Sequence, residues 1–407
     1  MVRSYKKFIS ILVQSSLFHI LSLSEFPSST FSCTYLATIL SCNGLNTTTE
    51  LLNTSKDITR SVLTLEISDS NMKCLEWRHF SIFQNLQEIK IVKSELEKVM
   101  CVHMGHNMRH KKMRYLRFLS LSFSILHEFD SSISRLHHLE SIDFSHNNIH
   151  IISCDFQNLK SLKYLDISNN NVDEYLNQKS FESLPSSLSF LDLTGNPWTC
   201  SPSLSWLYTW SLKMSPTIQS QLNLVQCRVP NSHQMAPLLQ AMEYYTTKIN
   251  PFCPKRCFCT FYHFPSHLAV SPSYTVLVNC SRQGITTFPT LPKHTTILDL
   301  SHNKLSDSSF EYLKFEEQNY EDITGMILSH NQITTIHPML TKMKLHRMFK
   351  ADHNRLKEVP YDFSLLLQSF AKIKITLADN RWECRCNAEI VSLVRERIKE
   401  LFWKNFS

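Results

Sequence analysis

Three stretches of the chain, "LESIDFSHNNI" (139–149), "LKYLDISNNNV" (162–172) and "LSFLDLTGNPW" (188–198), share the pattern L-x-x-L-x-L-x-x-N, restarting at steps of 23 and 26 residues. No other feature limits the possible folds so strongly. The pairs Ile142/Phe144, Leu165/Ile167 and Leu191/Leu193 alternate with polar residues, the period-2 signature of a short strand with one buried face. One such unit cannot bury that face alone, so successive coils must stack and line their strands into a parallel sheet. Asn147, Asn170 and Asn196 fall where the backbone leaves the strand. A side-chain amide there can satisfy buried peptide groups of the neighbouring coils.

Degenerate copies extend the pattern upstream. "VLTLEISDS" (62–70), "LQEIKIVKS" (86–94) and "LRFLSLSFS" (116–124) keep the apolar spacing and lose the asparagine. The pattern pauses after residue 198 and resumes with "TTILDLSHNKL" (295–305), "ITGMILSHNQI" (323–333), "HRMFKADHNRL" (346–356) and "KIKITLADNRW" (372–382). This is the leucine-rich repeat period and motif. It predicts an α/β leucine-rich repeat solenoid, a horseshoe with a parallel β-sheet on its concave face, in two arrays over 61–195 and 293–380.

A stacked solenoid exposes its core at both ends and needs capping modules. The thirteen cysteines suit that need in an oxidising compartment, where thiols pair. Consistent with export, basic "MVRSYKK" precedes a largely apolar run, Phe8 to Leu23, which reads as a secretory signal over 1–24. No later segment approaches the length of uninterrupted apolar sequence that a membrane span needs. Cys33 and Cys42 would close an N-terminal cap over 25–60, and Cys200 with Cys227 a C-terminal cap and connector over 196–252. Cys74 and Cys101 would bridge adjacent coils, and Cys154 reads as a small core residue.

"NPFCPKRCFC" (250–259) sets Cys253, Cys257 and Cys259 close together, with Cys280 following. Because a new repeat starts soon afterwards, the cluster reads as a second N-terminal cap over 253–292. The expected pairs are Cys253–Cys259 and Cys257–Cys280, one of three connectivities that four cysteines allow. A four-cysteine zinc site is the other reading; the paired C-x2-C spacing it favours is missing.

The order of repeats, "NPWTC" cap, "CPKRCFC…VNCSRQGITTFPTLP" cap and further repeats resembles the ectodomain of Toll receptors over roughly residues 60–395. It is most similar to the invertebrate type with two arrays and cysteine clusters between them; guidance and other capped extracellular repeat proteins share the cap logic. The resemblance implies an extracellular receptor in innate immune or developmental signalling. The implied partners are a cystine-knot cytokine or a microbial molecule, with receptor dimerisation. Pro202 stands where the family's cap usually carries a second cysteine. Cys384 and Cys386 open a further cap over 381–407 whose partner cysteines, membrane helix and TIR domain do not follow. The expectation is therefore an incomplete product that binds and does not itself signal, or alternatively a secreted adhesion, guidance or decoy protein.

Several surfaces are candidates for contact with a partner. Asp143, Asp166 and Asp192 hold one position in successive repeats, with Asp299 at the start of the second array. Parallel strands would stack the first three at about 4.8 Å, an acidic ladder suited to a basic ligand. Asp is also an ordinary occupant of this L-D-L position. "HMGHNMRHKKMR" (103–114) gathers Arg109, Lys111, Lys112 and Arg114 with His103, His106 and His110. It could attract anionic glycans, nucleic acid or membrane surface, or hold a metal, although a solvated loop is the plainer reading and no specific nucleic-acid binding is expected. Sequons at Asn46, Asn53, Asn279 and Asn405 fit a glycosylated surface protein. Neither a phosphate-binding glycine loop, a G-x-S-x-G elbow nor an H-E-x-x-H motif occurs, so catalysis and cofactors are not expected.

Overall fold

A computed structural model of the chain describes residues 31–99, 113–129, 131–173, 176–230, 232–264, 274–358, 360 and 373–383. The expected signal segment, Cys101, most of the basic stretch 103–114, Cys384, Cys386 and Asn405 lie outside the described residues. By compactness the chain divides into residues up to 171 with 179–191, and residues 172–178 with those from 192 onward.

The first array opens with a hairpin, β1 (Ser32–Leu36) and β2 (Ile39–Asn43), which places Cys33 opposite Cys42, and the two form a disulfide. Strands β3 (Thr64–Ser68), β4 (Glu88–Val92) and β5 (Phe118–Ser120) follow. After the two-residue β6 (Glu128–Phe129) come β7 (Ser141–Asp143), two-residue β8 (Ile151–Ile152), β9 (Tyr164–Asp166) and β10 (Phe190–Asp192). The main sheet has the order β1-β2-β3-β4-β5-β7-β9-β10, parallel from β2 to β9. Its buried face is the alternation read in the sequence: Leu65/Ile67, Ile89/Ile91, Leu119/Leu121, Ile142/Phe144 and Leu165/Ile167 are all essentially inaccessible. The return legs are short, among them the helices Lys56–Ser61 and Trp77–Phe80 and a 3-10 turn at Phe156–Asn158. Between sheet and legs runs an aromatic spine, with Phe129 centred 4.7 Å from Phe144 and 5.5 Å from Phe156.

In the second unit, "NPW" begins a cap. Buried Trp198 donates its indole N–H to Leu193 O at 2.9 Å. Cys200 is bonded to Cys227, which lies in β11 (Gln226–Arg228), paired antiparallel with β12 (Met235–Pro237). Helices Trp206–Ser211, Pro216–Leu222 and Leu238–Tyr244 bury Leu207, Trp210, Ile218, Leu222 and Met242. This cap runs directly into the next. Gln234 exchanges two hydrogen bonds with the backbone of Phe264, and Tyr244 packs edge-on against Phe264 and Tyr274.

The second cap is a hairpin of β13 (Phe258–His263) and β14 (Thr275–Asn279). The structure joins Cys253 to Cys259 and Cys257 to Cys280. From β14 the sheet continues in parallel through β15 (Thr295–Asp299), β16 (Gly325–Ile327), β17 (Met348–Lys350) and β18 (Lys374–Thr376). "NRW" mirrors "NPW", since Trp382 donates to Leu377 O at 3.3 Å.

Candidate ligand-binding surfaces

Each coil turns off its strand through one left-handed residue, followed directly by the ladder position. In the first array the left-handed residues are Asp69, Lys93, Phe123, His146, Asn169 and Gly195; in the second they are Arg282, His302, His330, His353 and Asp379. Only Gly adopts this conformation without penalty, so the ten others need a fixed surround. The ladder asparagines supply it. Asn170 Nδ2 donates to Phe144 O of the previous coil at 2.9 Å while its Oδ1 accepts from Ile149 N at 3.0 Å. Asn331 repeats this with Leu300 O and Leu305 N, and Asn354 with Leu328 O and Ile333 N. In the degenerate coils a shorter serine stands in: Ser70 Oγ accepts from Leu45 N at 3.1 Å, whereas buried Ser124 Oγ finds no partner among the described residues.

The aspartates have a local task. Asp143 Oδ1 accepts from Ser145 N and Oγ, Asp166 Oδ1 from Ser168 N, and Asp192 Oδ1 from Thr194 N and Oγ1, at 2.7–3.0 Å. Each therefore closes the turn two residues on, as Asx turns do. Asp143 and Asp166 are paired in register across β7 and β9, and Asp192 ends β10. All three are half-buried, and two are engaged through their second oxygen as well: Asp143 Oδ2 accepts from Ser120 Oγ at 3.0 Å and Asp166 Oδ2 from the Tyr164 hydroxyl at 3.2 Å. Asp299 Oδ1 accepts from Ser301 N in the same way. Asn279 does so with Ser281 N and is half-buried, while the sequon residues Asn46 and Asn53 are exposed.

Where a chain repeats an offset it also repeats a side-chain direction. "SHN" at 301–303, "SHN" at 329–331 and "DHN" at 352–354 set His302, His330 and His353 in line. Their rings stack with centroids 3.9 and 4.1 Å apart and planes tilted by 11° and 15°. His353 Nε2 lies 3.2 Å from Asp379 Oδ2. The three rings, with Asp299, Asp352, Asp379 and Lys350, border a cavity of about 480 Å³. Covering of both its faces lowers the pKa of His330, and His302, His353 and Arg282 add to this while Asp352 opposes it. The ladder was missed in reading the sequence, although the recurring H-N dipeptide carried the signal. In the first array His146 stacks in the same way on Phe123, at 4.2 Å.

The remaining candidates fall into place more simply. Cys74 is disulfide-bonded, and its proposed partner Cys101 is outside the described residues. Cys154 is buried. With their sulfurs joined in pairs, Cys253, Cys257, Cys259 and Cys280 offer no thiolates to a zinc ion. Among the described residues no cluster of His, Cys, Asp or Glu is arranged to hold a metal, and no helix is long and apolar enough to cross a membrane.

Fold and repeat chemistry together define a capped leucine-rich repeat protein, a class built for protein interaction. Leucine-rich repeat family models match residues 114–172 and 294–313. No curated protein matches the chain. Among solved structures it is similar to Toll in the Drosophila Toll–Spatzle complex, at 14% identity and TM-score 0.29, covering 85% of this chain and 66% of that one. A leucine-rich repeat protein of Leptospira interrogans gives 15% and 0.33 over 84% and 90% of the two chains. The mouse RP105/MD-1 complex gives 19% and 0.33, covering 93% of this chain and 48% of that one. Likenesses at such scores carry no argument about ligand or role.

Proposed function

We propose that the chain is the extracellular ligand-binding region of a Toll-like receptor acting in innate immune or developmental signalling. It binds a protein of cystine-knot type or a microbial molecule, without catalysis, and is placed by secretion outside the cell. The observation that carries this reading is the junction between the arrays. There the "NPWTC" module and the two-disulfide "CPKRCFC" module pack into one aromatic-centred unit that restarts a parallel sheet, the arrangement on which the sequence resembles Toll ectodomains. Asp143, Asp166 and Asp192 are the proposed contacts for basic groups of the ligand, and Asn46 and Asn53 the exposed glycosylation sites.

The test is a binding screen of the secreted chain against cystine-knot proteins and microbial surface molecules, by biolayer interferometry. One ligand should bind, and replacing Asp143, Asp166 and Asp192 by Ser should weaken it at least tenfold with secretion unchanged. If the chain instead binds only a second copy of itself, the alternative, a secreted adhesion or guidance protein, takes its place. Binding indifferent to the three aspartates removes them from the ligand surface.

A further inference from the structure

The histidine ladder belongs to the second array, and the proposed contacts Asp143, Asp166 and Asp192 belong to the first. Neutral imidazoles stack face to face without penalty, whereas imidazolium rings at the 3.9 and 4.1 Å spacings seen here repel one another. The neighbouring charges sharpen the contrast. Arg282 holds the left-handed position one coil before His302 and adds to the positive field at His330. On the cavity side, Asp299, Asp352 and Asp379 face a single ammonium, that of Lys350. Asp352, in the cavity wall, is fixed in place by accepting from Ala378 N at 2.9 Å, Thr376 Oγ1 at 2.5 Å and Ser329 Oγ at 3.2 Å.

Among the residues lining the cavity, three carboxylates thus outnumber the one ammonium, with the three imidazoles beside them. Protonation of these imidazoles would add positive charge to the wall that carries the carboxylates and set like charges face to face in the stack. Histidine is the side chain whose ordinary range makes this happen between about pH 7 and 5. We propose that this cavity is an acid-released docking site for a basic segment of a protein partner, with the His302–His330–His353 stack as the release element. The proposal rests on the ligand-binding reading above and adds to it a second contact, the charge of the partner and the condition that frees it.

A fluorescently labelled hexalysine peptide serves as the probe, titrated with the full secreted chain at low ionic strength and read by anisotropy at pH 7.4 and 5.2. The native chain should bind at pH 7.4 and lose at least tenfold in affinity at pH 5.2. His302→Gln/His330→Gln/His353→Gln should bind as well at pH 7.4 and lose less than threefold on acidification. His330→Gln alone, the gentler change, should fall between them. Asp299→Ser/Asp379→Ser should weaken binding at pH 7.4. Acid release undiminished in the Gln variants overturns the ladder's role; binding absent at pH 7.4, or indifferent to the two aspartates, overturns the site. Failure of the receptor reading is seen separately, because this assay needs no natural ligand and leaves Asp143, Asp166 and Asp192 in place.

Discussion

At the residue scale the ladder asparagines matter most, because each ties its own left-handed turn to the strand end and the turn of the coil before. Asn331 is buried and donates to Leu300 O, Leu328 O and Ser329 O while accepting from Leu305 N. Truncating it strands buried backbone groups, each worth about 1–3 kcal/mol when left unpaired. Asn331→Ala is therefore expected to cost about 2–4 kcal/mol, read as a lower urea midpoint for the second array. An unchanged midpoint would show that water replaces the amide. Asn170→Ala should behave alike in the first array, since Asn170 makes the equivalent bonds. The sequence made these residues plain, because the asparagine recurs at a constant offset from the leucines. It also showed where they fail: Ser70, Ser94 and Ser124 occupy the same offset, and the last leaves its hydroxyl without a partner among the described residues.

At the scale of elements, strand β16 shows how closely neighbouring coils are matched. Gly325 pairs with Ile297 on one side and Met348 on the other. A Cβ built on it would lie 2.6 Å from Ile297 Cδ1 and 2.9 Å from Met348 Cγ. Its space is filled by the neighbours rather than empty, so Gly325→Ala overpacks the sheet. The expected cost is about 1–3 kcal/mol, measured by thermal melting. A rise in Tm would mean that the two flexible side chains yield without cost. Nearby, Arg347 donates to the Tyr262 hydroxyl at 2.6 Å and its guanidinium sits 4.8 Å from that ring's centre, tying the cap hairpin to the coil that carries β17. No local pattern announces such a bond across 85 residues of sequence.

At the scale of the whole molecule, acid should destabilise the fold before its carboxylates titrate. His79 is buried against Thr48, whose hydroxyl lies 2.8 Å from Nδ1. Burial lowers its pKa, Arg78 adds to the effect and Glu76 opposes it. The unfolded chain thus takes up a proton as pH falls through the ordinary histidine value, and the folded chain does so only at lower pH. The contribution of His79 to stability is constant above that window and declines within it. His330 acts in the same direction, with the effect reduced by its exposure to solvent. Melting temperatures at pH 7.5, 6.5 and 5.5 should fall in that order, and His79→Gln should flatten the decline. An equally steep decline in the variant would assign it to other groups.

Much of this molecule could be read directly from its residues. The period-2 leucines and the asparagine offset determined the coil, the parallel sheet and the amide ladder, because every one of those contacts joins equivalent positions one repeat apart. The pairing at Cys253, Cys257, Cys259 and Cys280 was narrowed to a choice among three by the count of cysteines, and the β13–β14 hairpin made the choice. Only the tertiary structure decided that the two caps share an aromatic cluster, through Tyr244, Phe264 and Tyr274. It alone stacked His302, His330 and His353 beside three carboxylates. The physical reason is that a repeat motif specifies the strand and its turn. Ring contact between coils depends also on their spacing and phase, which the packed solenoid sets as a whole.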